Sequence, residues 1–499
     1  MPVKPNQTPT DTTNDMEEIL SNEDVQSIKK KSVAGALSYF FKTAILQLLG
    51  LTTAFILSAF LDPEDFGIYG YVTQIIGLLI FFSDVGLAAS LVQKKDEPSI
   101  TDYRTAFTVQ QILSWVIVFI VFILTRTGVI QDKIGIDGVW IMFALAFSFP
   151  LASLKTISSI KLERELKFSL LIVPQIIEQL LFDGILIYLA WRGVGVVAYA
   201  WAITARSVIG TAVMLSIKPW SVGINFNKNS LKQLLGYGVK FQLNDFLARI
   251  KDQLFFLFLG QTLPLNQFGY IQWSKNWSMY PYNLTVQNVM AITFPTFSRL
   301  QHRKDLLKKA IEKSIFFISL LIFPILVAMS VLIKPLTQVI VHYAKWQPAV
   351  LSFVLFALSV GWAAISTPLV NTLNAIGQIN KSLKLMIIWT LLTWVITPIT
   401  LYFFGFNGVA IAAIIISFSS IMSVYYVNKF VKVDVWQQIW RQLFGAVGMS
   451  LVGLLLFDFA SQSITRFLFT GVAMGIVYSI LVFMVGHDKL IAEIKSLRS

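Results

Sequence analysis

LDPEDFGIYGYVTQIIGLLIFFSDVGLAASLVQ, residues 61–93, opens on three acids (Asp62, Glu64, Asp65), runs largely apolar from Phe66 to Val92 around the single acid Asp84, and is followed by Lys94 and Lys95. A bilayer core needs roughly 20 apolar residues per helix, so the segment reads as a membrane span whose basic end faces the cytoplasm. The same ruler carried outward gives spans near 34–60, 66–92, 104–125, 138–154, 169–190, 193–217, 232–259, 267–297, 314–333, 350–375, 384–404, 408–428, 442–458 and 466–485, about fourteen in all. The expected fold is an all-α polytopic membrane protein.

Composition points the same way. Of 499 residues, 56% are hydrophobic and only 13% are charged, against roughly 25% charged in soluble domains; an ordinary soluble enzyme is excluded. Without cysteine, disulfides and thiolate metal sites are excluded, and His302, His342 and His487 are too scattered for a metal cluster, so neither metal nor cofactor is expected. The 40 Lys and Arg exceed the 27 Asp and Glu by 13. Of those cations, 28 fall in the N-terminal tail, every second loop and the C-terminus, and 6 in the remaining loops. Basic residues in short loops stay on the cytoplasmic side, so the excess charge reports topology: a multi-pass plasma (inner) membrane protein with both termini cytoplasmic and no nucleic-acid partner. Residues 1–31 lack an apolar run for a signal peptide and read as a disordered cytoplasmic tail.

An internal repeat organises the spans. LDPEDFGIYGY joins the first two and FLGQTLPLNQFGYIQW the seventh and eighth, with Phe66-Gly67 matching Phe268-Gly269 at an offset of 202. GVVAYAWAI from Gly195 resembles GVAIAAIII from Gly408, an offset of 213. The reading is a six-helix lobe over 32–217, a second over 218–430, and two extra helices with the C-terminus over 431–499, substrate binding being expected between the repeats.

The stretch at 61–93 resembles the opening signature of Wzx-type polysaccharide flippases, in the multidrug/oligosaccharidyl-lipid/polysaccharide exporter superfamily. LERELKFSLL, Leu162 to Leu171, is similar to the basic inner loop after span four in the branch that exports capsule, colanic or teichuronic acid repeat units. The resemblance implies a two-lobed bundle that moves a polyprenyl-diphosphate-linked oligosaccharide from the inner to the outer leaflet by alternating access. It implies a transporter rather than an enzyme, with lipid-linked sugar, membrane lipids and polysaccharide polymerases as partners.

Charges inside spans are costly and mark pathways or partners. Lys42, Arg206, Lys240, Arg249, Lys251 and Lys275 are the cations, and Asp84, Glu178, Asp183, Asp245 and Asp252 the acids; spans nine to twelve carry neither. The polar lining is therefore expected from the first lobe and spans seven and eight. Arg offers bidentate bonds to phosphate and Lys a point charge, so Lys42, Lys240, Arg206, Arg249 and Lys251 are the candidate diphosphate ligands. The competing reading is local neutralisation: Asp245 or Asp252 with Arg249, Glu178 with Arg206, Asp84 with Lys42; the same acids are candidates for carrying a coupling ion. Trp273, Asn276, Trp277, Tyr280 and Asn283 combine amides for hydroxyls with rings for the apolar side of a pyranose, against an interfacial aromatic belt as the structural alternative. Other functions to weigh are a cation-coupled multidrug exporter, which would favour acids over cations, and a membrane ligase or polymerase acting on lipid-linked sugar, against which the short outer loops argue.

Overall fold

The computed structural model describes the backbone of Thr43 and of residues 45–498, and their side chains except those at 129, 237, 239–251, 292, 488 and 490–498. The expected tail and Lys42 lie outside the described residues. Among the described residues every regular element is helical. Eighteen α-helices follow in order: α1 (Ile45–Phe60), α2 (Pro63–Leu79), α3 (Leu87–Gln93), α4 (Ile100–Arg126), α5 (Val129–Arg164), α6 (Phe168–Trp191), α7 (Ala198–Ile217), α8 (Lys228–Thr262), α9 (Leu265–Tyr282), α10 (Asn288–Leu300), α11 (Lys304–Val339), α12 (Val350–Ala375), α13 (Ile379–Phe404), α14 (Asn407–Phe418), α15 (Ile421–Asn428), α16 (Val435–Leu455), α17 (Phe457–Ala460) and α18 (Ile464–Arg498). Ten helical stretches among the described residues are long and apolar enough to cross a membrane by length and composition, and α1 is a shorter apolar helix. The protein is a multi-pass membrane protein.

Helix starts follow local chemistry. Ser99 caps α4 by accepting from Asp102 N–H at 3.1 Å, while the Asp102 carboxylate accepts from Ser99 N–H at 2.9 Å, a reciprocal pair that satisfies two orphan donors. At α2 the Asp65 carboxylate accepts from Asp62 N–H at 2.9 Å and Pro63 takes the first helical position, where its missing N–H costs nothing.

Two of the expected spans are interrupted. The one beginning at Phe66 breaks after α2 into a 3₁₀ turn, Ile80–Ser83, followed by Val85 at φ 49° and Gly86 at φ 77°. Asp84 holds the restart: its carboxylate accepts from Ala88 N–H at 3.1 Å and from the Gln110 side chain of α4. The span that starts in α9 loosens into a π-turn, Asn283–Gln287, before α10.

Glycine sets how closely the helices cross. A Cβ at Gly67 would lie 1.9 Å from the Leu265 carbonyl oxygen, and one at Gly269 would lie 1.7 Å from that of Pro63. Both residue pairs, 63 with 265 and 67 with 269, are separated by the repeat offset of 202, so the two copies of the Phe-Gly motif touch each other reciprocally, as surfaces do about a two-fold axis. A second crossing lies at the far end of the same span. A Cβ at Gly86 would meet the Gly238 carbonyl oxygen at 2.2 Å, one at Gly238 would meet the Gly86 oxygen at 2.6 Å, and Ser90 Oγ donates to the Leu234 carbonyl at 2.6 Å.

The buried apolar residues divide along the chain. One cluster runs from Trp273 to Val482; another draws on Leu57 to Ile271 with Phe356, Val409 and Ala410; a third joins α3, α4 and α5 to Trp220 and Leu234. Bulky apolar side chains such as Tyr402, Phe403 and Leu455 stay exposed, as expected where the surroundings are lipid.

The basic inner loop is a staple. The Arg164 guanidinium donates to the carbonyls of Leu91 (2.9 Å), Val92 (3.0 Å), Lys94 (2.7 Å) and Asp96 (3.1 Å), satisfying the open C-terminus of α3 from the end of α5. Beside it Lys167, at 2.8 Å, and Lys218 pair with Glu165 and hold its carboxyl at about 2.

Candidate functional site

Three cavities organise the site. The first, of about 380 Å³, is walled by α1, α2, α6, α7 and α9. Its acid is Asp183, 5% exposed. Gln179, one turn earlier on α6, donates from Nε2 to both carboxylate oxygens at 2.9 Å, and Thr53 of α1 adds a hydroxyl hydrogen bond. Tyr69 and Tyr199 stack at 3.8 Å with an angle of 12°. Trp277, Tyr280, Asn276 and Gln272 of α9 complete the wall. Tyr280 donates to the Gly50 carbonyl at 3.2 Å, and the Trp277 indole N–H is buried without a protein acceptor.

Several expected residues are assigned different surroundings. Trp273 also borders this cavity, but its ring is 1% exposed, stacked on Trp346 at 4.8 Å, and its N–H donates to Ser58 Oγ at 2.9 Å; it knits α9 to α1. Asn283 is absent from the wall: its carbonyl accepts from Gln47 at 3.3 Å and its side chain from Gln287 at 3.0 Å, across the π-turn. Arg206 stands behind the wall, its guanidinium 5.2 Å from the Phe182 ring centre, within electrostatic reach of Asp183 and Tyr69. The suggested Glu178–Arg206 pairing is replaced by Glu178 with Lys155, because α5 continues ten residues beyond the expected end at 154 and carries Lys155 against α6. Asp84 lies at the helix break bonded to Gln110, and the suggested partner Lys42 is outside the described residues. Lys240, Asp245, Arg249 and Lys251 lie on α8, with side chains outside the description.

The second cavity, about 460 Å³, was not foreseen. It lies between α8, α9 and α12–α14, and Asp252 and Lys275 sit in its wall. Lys275 borders both cavities, with its ammonium 3.5 Å from the centre of the Phe256 ring, a residue of the second. Beside these charges the wall carries hydroxyls: Thr367 and Ser366 donate to Ala363 O at 2.8 and 3.1 Å, Thr393 to Trp389 O at 2.8 Å, and Ser359 to Ala413 O at 3.2 Å. The Ser and Thr of this wall come from helices α9 and α12–α14 and the loop after α14, where counting in-span charges drew no attention. The usable signal was Ser and Thr spaced along 359–367 and 393–397.

The third is a groove of about 1170 Å³ between α11, α12 and α15–α17, mostly apolar, with Lys308, Lys334 and Lys432 among its borders. Among the described residues no group of three or more His, Cys, Asp or Glu is placed to hold a metal ion.

The described residues form an all-helical membrane bundle with cavities between the helices, and comparison with known proteins places it. The family described as polysaccharide biosynthesis protein matches residues 56–351. Over 377 residues the chain is 21% identical to the lipopolysaccharide biosynthesis protein WzxC of Escherichia coli (strain K12), covering 73% of this chain and 74% of the relative. It is 20% identical to the succinoglycan biosynthesis transport protein ExoT of Rhizobium meliloti (strain 1021), over 66% of each. Among solved structures, the lipid II flippase MurJ in an inward closed conformation superposes with a TM-score of 0.72 at 14% identity, covering 92% of this chain and 100% of that one. An inward-facing multidrug resistance MATE transporter of the MOP superfamily gives 0.57 at 14% identity, over 77% and 95%. The chain belongs to the polysaccharide biosynthesis protein family, and its fold is that of the MurJ and MATE structures.

Proposed function

We propose that the protein flips a polyprenyl-diphosphate-linked oligosaccharide repeat unit from the inner to the outer leaflet of the plasma membrane by alternating access, for capsule, exopolysaccharide or O-antigen-type assembly. One observation carries the reading. The first cavity borders α2 at Phe66 to Gln74, and this span is crossed by backbone-on-backbone contacts at Gly67–Gly269 on one side and Gly86–Gly238 on the other. A cavity lying along one interrupted span, between two close helix crossings, suits a cargo passed through. The lobes 32–217 and 218–430 are the bodies that would rock about these crossings.

In this scheme sugar rings occupy the first cavity, against Trp277, Tyr280 and Asn276. The diphosphate is met by Arg206 behind the wall and by Lys42, Lys240, Arg249 and Lys251. The apolar groove along α11 and α16 is long enough to hold part of a polyprenyl chain, since Lys308 and Lys334 lie about 39 Å apart along α11 at 1.5 Å per residue. Asp84, Glu178, Asp183, Asp245 and Asp252 are the acids open to a coupling role, and polysaccharide polymerases are the natural downstream partners. A second reading has one specific support: Asp183 beside stacked tyrosines would also suit an organic cation, as a multidrug exporter requires.

Native mass spectrometry of protein purified gently from its host tests the choice. The expected result is a co-purified polyprenyl-diphosphate glycan, lost in Arg249→Ala. Drug-like cations on both proteins would favour the exporter.

A further inference from the structure

The segment between α7 and α8, residues 218–227, forms neither helix nor strand, yet it is bonded along its length to α4 and α5. The Lys218 carbonyl accepts from Ser158 Oγ at 2.7 Å, the Trp220 indole N–H donates to the Leu154 carbonyl at 3.1 Å, and the Ser221 carbonyl accepts from Arg104 Nε at 3.3 Å. Further on, Asn225 N–H donates to Thr108 Oγ1 and Asn227 N–H to Thr105 Oγ1, both at 3.1 Å. A Cβ at Gly223 would lie 2.8 Å from Arg104 Nε, so the chain runs pressed against α4. Val222, Ile224 and Phe226 fall at every second position, the spacing that sends side chains to one side of an extended chain, and they stand 48%, 84% and 58% exposed.

Depth says what meets that apolar edge. The 27 residues of α4 span about 40 Å at 1.5 Å per residue, close to the roughly 40–45 Å of a bilayer with its headgroups around a core of about 30 Å. Thr105 and Thr108 lie about 8 and 12 Å from the first residue of α4, Ile100, past the roughly 5–7 Å of headgroups and at the edge of the hydrocarbon. We propose that the segment is a membrane-embedded strap, which seats Val222, Ile224 and Phe226 among the acyl chains of the inner leaflet while α4 and α5 take up its backbone bonds. Irregular backbone is tolerated at membrane depth where protein groups satisfy it, and the buried hydroxyls of Thr105 and Thr108 are placed to do so. Lys218 and Lys228 bracket the strap, as cations do at the headgroup level of an anionic leaflet. The strap joins the two proposed lobes, so its lipid anchor holds their connection against α4 and α5 when the lobes rock.

The chain has no cysteine, so single substitutions take a nitroxide label without other changes. Val222→Cys, Ile224→Cys and Phe226→Cys would be labelled in the full chain, in liposomes of phosphatidylcholine and phosphatidylglycerol. Collision of each label would be measured with oxygen, which enters the hydrocarbon, and with a nickel chelate, which stays in water. Phe119→Cys, 62% exposed on α4, gives the lipid reference, and Glu97→Cys, exposed in the basic loop, gives the water reference. The expected oxygen-to-nickel ratio at all three strap positions lies between the references and at least threefold above that of Glu97→Cys. A ratio at 224 and 226 equal to that of Glu97→Cys would put the edge in water and overturn the inference. Slow collision with both reagents would overturn it as well, because protein, whether another segment of this chain or a second copy, would then cover the edge.

Discussion

The two cavities on either side of α9 differ in chemistry. One holds a buried carboxylate, amides and stacked rings; the other holds Asp252 and Lys275 in a wall whose hydroxyls already donate to backbone carbonyls. The second adds to its acid and its cation the lone pairs left on bonded hydroxyls. The difference teaches that polarity inside this membrane protein comes in two kinds. One cavity sets its acid among amides and aromatic rings, and the other sets an acid and a cation among back-bonded hydroxyls.

The largest effect should come from the glycine crossing beside the first cavity. Gly67→Leu drives a side chain into the Leu265 carbonyl, 1.9 Å from where its Cβ would sit; overpacking of this kind costs about 1–3 kcal/mol, and polysaccharide export should fall more than tenfold. Gly184→Ala, on α6 next to Asp183 with nothing within 4 Å of its Cβ, should leave export intact and stabilise its helix by about 0.5–1 kcal/mol. If both substitutions act alike in export and thermal-melting assays, the close crossing plays no part in export. Next is Lys275→Ala, which removes the cation the cavities share; a several-fold loss of export with normal membrane insertion is expected, and Lys275→Arg should restore part of it. Wild-type export by Lys275→Ala would dissolve the link between the cavities.

Smallest is Glu165, far from either cavity. Its carboxyl is held at about 2 by Lys167 and Lys218, below the ordinary 4.5, so whatever stability it adds is present above pH 4.5 and lost as pH falls toward 2. Exposed pairs contribute little. Glu165→Gln should therefore leave export and melting unchanged near pH 7, and converge with the wild type in strong acid.

These contrasts also bear on what the sequence discloses. The helices were legible because long apolar runs bounded by charged loops have one stable form in lipid, and the matching motifs Phe66-Gly67 and Phe268-Gly269 were legible at their offset of 202. That these motifs touch one another was not, since an offset carries no distance. The break at residues 80–86 hid inside an apolar run, where its signals were only Asp84 and Gly86. Glu178 was matched to Arg206 by depth, a coordinate that ignores which face of a helix looks where; the longer α5 brought Lys155 instead. Asp183 stood out as an in-span acid, but its partners Gln179 and Thr53 carry no charge to draw the eye. Trp273 and Trp277 look equivalent in sequence, and only packing separates the core ring stacked on Trp346 from the one left without an acceptor.

The most direct test of the central claim is a reconstituted flipping assay. Proteoliposomes would carry a polyprenyl-diphosphate-linked oligosaccharide in one leaflet, with a membrane-impermeant glycosidase added on the other side. The account predicts that the intact glycolipid becomes accessible far faster with the wild type than with empty vesicles or Gly67→Leu, its sugar chain unchanged before digestion. Accessibility equal to empty vesicles, or a glycan lengthened or transferred by the protein itself, would contradict it.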